Sequence, residues 1–177
     1  TGKRKLWSGK VFYKEPLVKN IANRVYAPFD DLSLDYNSLF SLLSDNTYVS
    51  KIYGNPTSNN LLNNNFKVQD VHSNPYFDRI LKKIIQEFKL FNKKIDIYLF
   101  LGMLQGSSSP VHTDPYDVLL YNLYGETMYI IDKEKYFIKQ GELIRIFKGE
   151  VHQGISINPR ITLSLGVFEW VYTKDHW

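Results

Sequence analysis

The chain has no cysteine among its 177 residues. That excludes disulfide bonds and thiolate metal ligands. It agrees with a reducing compartment, so a cytoplasmic protein is expected. No apolar run approaches the roughly 20 residues that a membrane span requires, and no membrane partner is expected. The opening residues TGKRKLW lack the apolar segment of a signal peptide. Charge bias is weak, at a net +4. The lysines between Arg79 and Lys94 read as the solvated face of a helix rather than as a nucleic-acid surface. Histidine is scarce too, with four in the chain.

What is present is apolar and aromatic. Hydrophobic residues make up 44% and aromatics 15%, mostly Tyr and Phe, which suits a globular domain with a real core. Residues 6–30 read as irregular structure with short extended pieces such as KVFYKEPLV. A short helix is expected over Asp35–Leu43 and a strand over TYVSKIYG. The Asn-rich stretch GNPTSNNLLNNNFKVQD, Gly54–Asp70, reads as a long loop, either a lid or a surface excursion. The best helix follows in NPYFDRILKKIIQEFKLF. Asn74 caps it, Pro75 takes the first position, and Phe77, Ile80, Leu81, Ile84, Ile85 and Phe88 form one apolar face.

From Ile95 onward the pattern changes to short runs rich in β-branched and aromatic residues: IDIYLFLGML, DVLLYNLY, TMYIID, KYFIKQ, LIRIF, QGISI and RITLSLGVFEWVY. Close-set strands of this kind predict an antiparallel sandwich or barrel. The expected organisation is one structural domain. Residues 1–94 form a helical and extended region packing on the barrel, and residues 95–177 form the barrel core.

The stretch SPVHTDPYDVLLYNLYG, Ser109–Gly125, places His112 and Asp114 one residue apart. If a strand begins near Val111, its period of two puts both on one face. An Asp-Pro turn explains the pair without a metal. A third ligand is available in FKGEVHQGISINP, where His152 lies 38 residues after Asp114. Two histidines and one carboxylate match the facial triad of non-haem iron(II) oxygenases, and three protein ligands leave positions open for catalysis. His72 and His176 lack such surroundings and read as a loop and a tail residue.

HTDPYDVLLYNLYG resembles the first metal-binding segment of the cupin-fold JmjC-type 2-oxoglutarate oxygenases, which include asparaginyl and ribosomal-protein hydroxylases. GELIRIFKGEVHQGISINPRITLSLGVFEW resembles their second segment, with its Gly-Glu opening, distal histidine and final apolar strand. The resemblance spans roughly Leu101–Trp170, in the same order. It implies a mostly β fold with flanking helices, a double-stranded β-helix of the cupin or jelly-roll type. It also implies iron(II) held by His112, Asp114 and His152, with 2-oxoglutarate and O2 as co-substrates of a dioxygenase (hydroxylase).

A dicarboxylate co-substrate needs a cation for its far end, and an arginine fork serves best. In the relatives a Lys or Arg usually stands two residues after the glycine matching Gly125; here that place is Thr127. Arg160 opens the last strand, and Thr162 shares its face. This Arg-x-Thr pair resembles the clamp of other 2-oxoglutarate oxygenases. Arg145 is the alternative cation, unless its alternation with Ile144 and Ile146 places it on the outer face. Tyr121, Tyr129 and Asn122 either line the pocket or serve as barrel wall. The resemblance points to a protein or peptide side chain as substrate, with a small molecule or nucleic acid as alternatives. The competing reading is a non-oxygenase or non-catalytic cupin-type barrel that binds a metal or ligand. The oligomeric state is open.

Overall fold

In a computed structural model of the chain, the described residues are 24–27, 51–53, 65–102, 106–107 and 109–168, with Phe29, Leu34, Asn37 and Leu39. Of the expected helix over 35–43, Asn37 and Leu39 are helical, and the rest lies outside the described residues. Most of the 6–30 segment, residues 54–64 and His176 also lie outside them.

The strands are β1 (Val25–Tyr26), β2 (Lys51–Tyr53), β3 (Asn65–Gln69), β4 (Lys94–Gly102), β5 (Gly106–Ser107), β6 (Asp117–Tyr124), β7 (Thr127–Ile131), β8 (Glu134–Ile138), β9 (Leu143–Ile146), β10 (His152–Ser156) and β11 (Arg160–Phe168). An α-helix, α1 (Pro75–Glu87), follows a 3-10 turn at Val71–Ser73 that contains His72. The Asn74 side chain accepts a hydrogen bond from the Tyr76 N–H at 2.8 Å and caps α1, with Pro75 in the first turn as the sequence predicts. No helix among the described residues is long and apolar enough to cross a membrane.

The strands form two antiparallel sheets, one of seven strands in the order β1-β9-β6-β11-β4-β3-β2 and one of four in the order β5-β10-β7-β8. Three strands of the larger sheet, β1, β2 and β3, precede residue 94. The region expected to pack on the barrel therefore also extends its larger sheet. The Asn-rich segment expected to be all loop ends in β3, paired between β2 and β4. Phe66 and Val68 alternate with Asn65, Lys67 and Gln69, and pairing with β4 outweighs a composition poor in strand formers.

The alternation of side chains divides the core in two. Leu119, Tyr121 and Leu123 of β6 and Ile161, Leu163 and Leu165 of β11 face outward onto Phe77, Ile80, Leu81 and Ile84 of α1. Burying each large side chain there contributes roughly 1.5–3 kcal/mol relative to exposure. Val118 and Leu120 of β6 and Ile144 and Ile146 of β9 face inward, against Tyr129, Ile131 and Ile138 of the smaller sheet. A cavity opens within this inner layer.

The turn joining β6 to β7 closes one end of the barrel. Gly125 has φ +75, and a Cβ there would stand 2.0 Å from the Pro159 carbonyl oxygen, so no larger residue fits. The Glu126 N–H donates to Asn158 Oδ1 at 2.7 Å, which ties this turn to the one between β10 and β11.

Candidate metal centre

His112 and Asp114 precede β6 rather than lying on a strand that starts near Val111. Pro110 and Pro115 supply no N–H to a ladder, so regular pairing begins only at Asp117. His112 is instead held by a lone antiparallel bridge to His152, with N–H to carbonyl distances of 3.0 and 2.8 Å in the two directions. The Asp114 carbonyl accepts the Gly149 N–H at 2.9 Å. His152 opens β10, where Ile131 of β7 is its other neighbour. The three residues thus meet at the barrel end where β6 begins and β11 finishes.

Their ligand atoms all lie within 4.8 Å of one another. Asp114 Oδ2 stands 3.4 Å from His152 Nε2 and 3.9 Å from His112 Nε2. Each ring has its other nitrogen on a backbone carbonyl, His112 Nδ1 on Pro110 O at 2.8 Å and His152 Nδ1 on Glu150 O at 3.0 Å. A carbonyl only accepts, so each Nδ1 carries a proton and each Nε2 is turned toward Asp114, as a donor to the carboxylate in a charged ring or as a lone pair for a cation in a neutral one. This is how metal-binding histidines are oriented. The donor set, two neutral imidazoles and one carboxylate on one side, fits a divalent ion with open positions.

The hydrogen bond to His152 holds the Asp114 carboxyl below its usual pKa, against the opposing effect of burial. Burial pushes His152 down, but its bonds to Asp114 and to the Glu150 carbonyl outweigh that and leave its pKa raised. Both shifts express one attraction, between the Asp114 carboxylate and the His152 ring.

A cavity of about 180 Å³ opens from these three residues into the barrel. It is lined by Tyr129 and Gly154 from the smaller sheet and by Val118, Leu120, Arg160 and Ser164 from the larger. Arg160 is 3% exposed and stands where β11 begins, away from the triad end of that strand. Its Nε donates to Ser156 Oγ at 2.6 Å and its Nη1 to Thr162 Oγ1 at 2.9 Å. The Thr162 hydroxyl donates to Asn122 Oδ1 at 2.7 Å. Asn122 Nδ2 donates to the Ile138 carbonyl at 2.9 Å and to Thr127 Oγ1 at 3.3 Å. Burial lifts the Tyr129 phenol above its usual pKa, against the pull of Arg160 and of hydrogen bonds from Thr162, Arg160 and Thr127. Arg160, Thr162, Thr127, Asn122 and Tyr129 therefore form one buried polar cluster.

Two sequence expectations change. Tyr121 does not line the pocket: it shares parity with Leu119 and Leu123 and is buried under Phe29 on the helix-covered side. Arg145 likewise faces outward, opposite Leu119, and is ion-paired with Asp117. It is not among the residues lining this cavity. Sequence reasoning missed Ser156 and Lys67. Ser156 shares parity with His152 and Gly154, which was readable. Lys67 reaches the pocket from β3, with its Nζ 3.5 Å from the Tyr98 ring centroid, and the loop reading of that segment hid it.

No protein-family model matches the chain, and no curated protein matches it. Solved structures do. YcfD, a ribosomal oxygenase from Escherichia coli, in complex with cobalt and 2-oxoglutarate, is 15% identical with a TM-score of 0.66, covering 84% of this chain and 48% of that one. The same protein with cobalt and succinic acid gives 15% identity, a TM-score of 0.65 and coverage of 84% and 48%. A further X-ray structure of it gives 14%, 0.66, and 85% and 50%. The chain therefore spans about half the length of the proteins it resembles. At this identity the likeness speaks for the fold alone: the chain is a double-stranded β-helix of the cupin type, built as the barrel of that oxygenase is built.

Proposed function

We propose that the chain is an iron(II)- and 2-oxoglutarate-dependent oxygenase that hydroxylates a protein side chain. One observation carries this reading. A His-Asp-His triad and a buried arginine line the same cavity, so a dicarboxylate can meet the metal at one end and a guanidinium at the other. The ribosomal oxygenase of the same fold has been solved with cobalt and 2-oxoglutarate, which supports the co-substrate; the protein side chain rests on the resemblance of the two metal-binding segments to those of protein hydroxylases.

Iron(II) bound by His112, Asp114 and His152 supplies the oxidising chemistry, in which O2 and 2-oxoglutarate are consumed and succinate and carbon dioxide are released. The protein's share is placement. The Pro110 and Glu150 carbonyls fix the ring tautomers. Arg160, held by Ser156 and Thr162, presents its fork to the distal carboxylate. Tyr129 keeps its proton and donates to the same group. Val118 and Leu120 line the cavity with apolar surface and exclude water.

A second reading, a cupin-type metal barrel without this co-substrate, draws support from Thr127. The place that is basic in the resembling family is here a neutral hydroxyl tied to Asn122. Anaerobic titration of 2-oxoglutarate into iron(II)-loaded protein separates the two. The expected result is a weak visible charge-transfer band that Arg160→Ala shifts to much higher co-substrate concentration. Iron-loaded protein without that band decides for the second reading.

A further inference from the structure

Resting on the reading of His112, Asp114 and His152 as metal ligands, we propose that Arg24 is a positioning residue for the metal centre and acts on His152 through Glu150.

Glu150 touches the site twice. Its backbone carbonyl accepts the His152 Nδ1 proton at 3.0 Å. Its carboxylate is gripped by both Nη atoms of Arg24, each at 2.5 Å, and by the Phe147 N–H at 2.8 Å. The Arg24–Glu150 pair spans 126 residues of sequence. It is mostly sheltered, with side-chain exposures of 20% and 16%. Arg24 is itself placed by two rings, Phe147 at 5.3 Å and Tyr136 at 5.8 Å from its Cζ, and its carbonyl accepts the Arg145 N–H of β9.

The segment it grips, Phe147–Glu150, joins β9 to β10 and holds both halves of the triad. Its Gly149 N–H binds the Asp114 carbonyl, and its Glu150 carbonyl binds His152. Its Lys148 N–H binds Asp117 Oδ1 at 2.9 Å, at the start of the strand that follows Asp114. Gly149 has φ +82 and Lys148 is exposed, so this is a tight surface turn. A bidentate fork fixes the plane of the Glu150 carboxylate as well as its position. With it, the direction of the Glu150 carbonyl is fixed, and so is the His152 ring. Truncating Arg24 leaves a sheltered carboxylate without its counter-charge, and the turn shifts to rehydrate it. The metal then meets a histidine whose outer hydrogen bond has moved, a change that typically costs about 10- to 100-fold in metal affinity.

The test is calorimetric titration of cobalt(II) into the full chain, with the visible cobalt spectrum recorded at saturation. Arg24→Ala and Glu150→Gln are expected to weaken cobalt binding tenfold or more and to alter the ligand-field bands. Arg24→Lys, which keeps the charge without the fork, is expected to recover part of the loss. Ile84→Ala, in the α1 core, serves as the stability control; it lowers Tm and leaves cobalt affinity within twofold. Equal cobalt affinity and spectra across the Arg24 and Glu150 variants overturn this proposal alone. A loss in Ile84→Ala as large as in Arg24→Ala also overturns it, by showing that any destabilisation has the same effect. An unaltered chain that takes up no cobalt overturns the metal-centre reading, and this proposal with it.

Discussion

The two sheets differ in what covers them. The larger is buried on both faces where β6 and β11 run, under α1 on an apolar side and against the barrel interior on a side that mixes apolar β6 residues with the polar Arg160, Thr162 and Ser164 of β11. Strand β11 is buried from Arg160 to Gly166 without a break. Among the described residues, the smaller sheet is covered on one face only: β7 and β10 alternate buried and half-buried residues along their length, and Phe137 on β8 is 61% exposed. Yet the smaller sheet supplies His152, Gly154 and Tyr129 to the cavity. The doubly covered sheet carries most of the buried apolar side chains, and both sheets line the cavity. Arg160 is a charged group in the best-buried strand, and it is accommodated there by Ser156 and Thr162.

Four substitutions test that division, from the largest effect down. Leu163→Ala, at a fully buried position of β11, is expected to cost about 2–5 kcal/mol in denaturant unfolding while metal affinity stays close to that of the unaltered chain. A loss below about 1 kcal/mol contradicts the stabilising role given to the larger sheet. His152→Ala reverses the pattern. It removes the stabilisation that a bound metal confers, about 2.7 kcal/mol at a metal concentration 100-fold above Kd, and leaves the melting profile cooperative. Melting curves with and without cobalt(II) read this directly. Gly125→Ala forces a Cβ against the Pro159 carbonyl at positive φ. It is expected to cost more than about 1 kcal/mol and to weaken 2-oxoglutarate more than metal, because the displaced turn adjoins Arg160. Phe137→Gln, on the bare face of the smaller sheet, is expected to stay within about 0.5 kcal/mol of the unaltered chain. A large loss there means that this face is covered in solution.

Much of this was legible because it follows local periodicity. The strands from Ile95 onward and the Asn74-Pro75 start of α1 announce themselves in short windows, whereas the His112, Asp114 and His152 set was joined by the resemblance of two segments and not by the strand expected near Val111. β3 did not announce itself, because its strand character comes from pairing with β2 and β4 while its composition speaks for a loop. The sequence leaves the side of Tyr121 open because Tyr121 and Asn122, adjacent on one strand, cannot both face the pocket. Only the register with β11, which sets Asn122 opposite Thr162, decides which one does. Arg24 and Glu150 carry no local signal at all, since their pairing exists only once the chain ends of two distant segments are brought together.

The lone bridge between His112 and His152 has a kinetic meaning. Before it forms, the chain offers a metal only the adjacent His112 and Asp114, and the third donor waits on closure of a long loop through β6 to β9. A barrel dominated by such distant pairings folds slowly, and the bridge belongs to its late stage. An ion that needs all three donors rewards the finished barrel rather than the state on the way to it. Metal loading should therefore leave the refolding rate nearly unchanged and slow unfolding, so that the centre acts as a latch on a structure already closed.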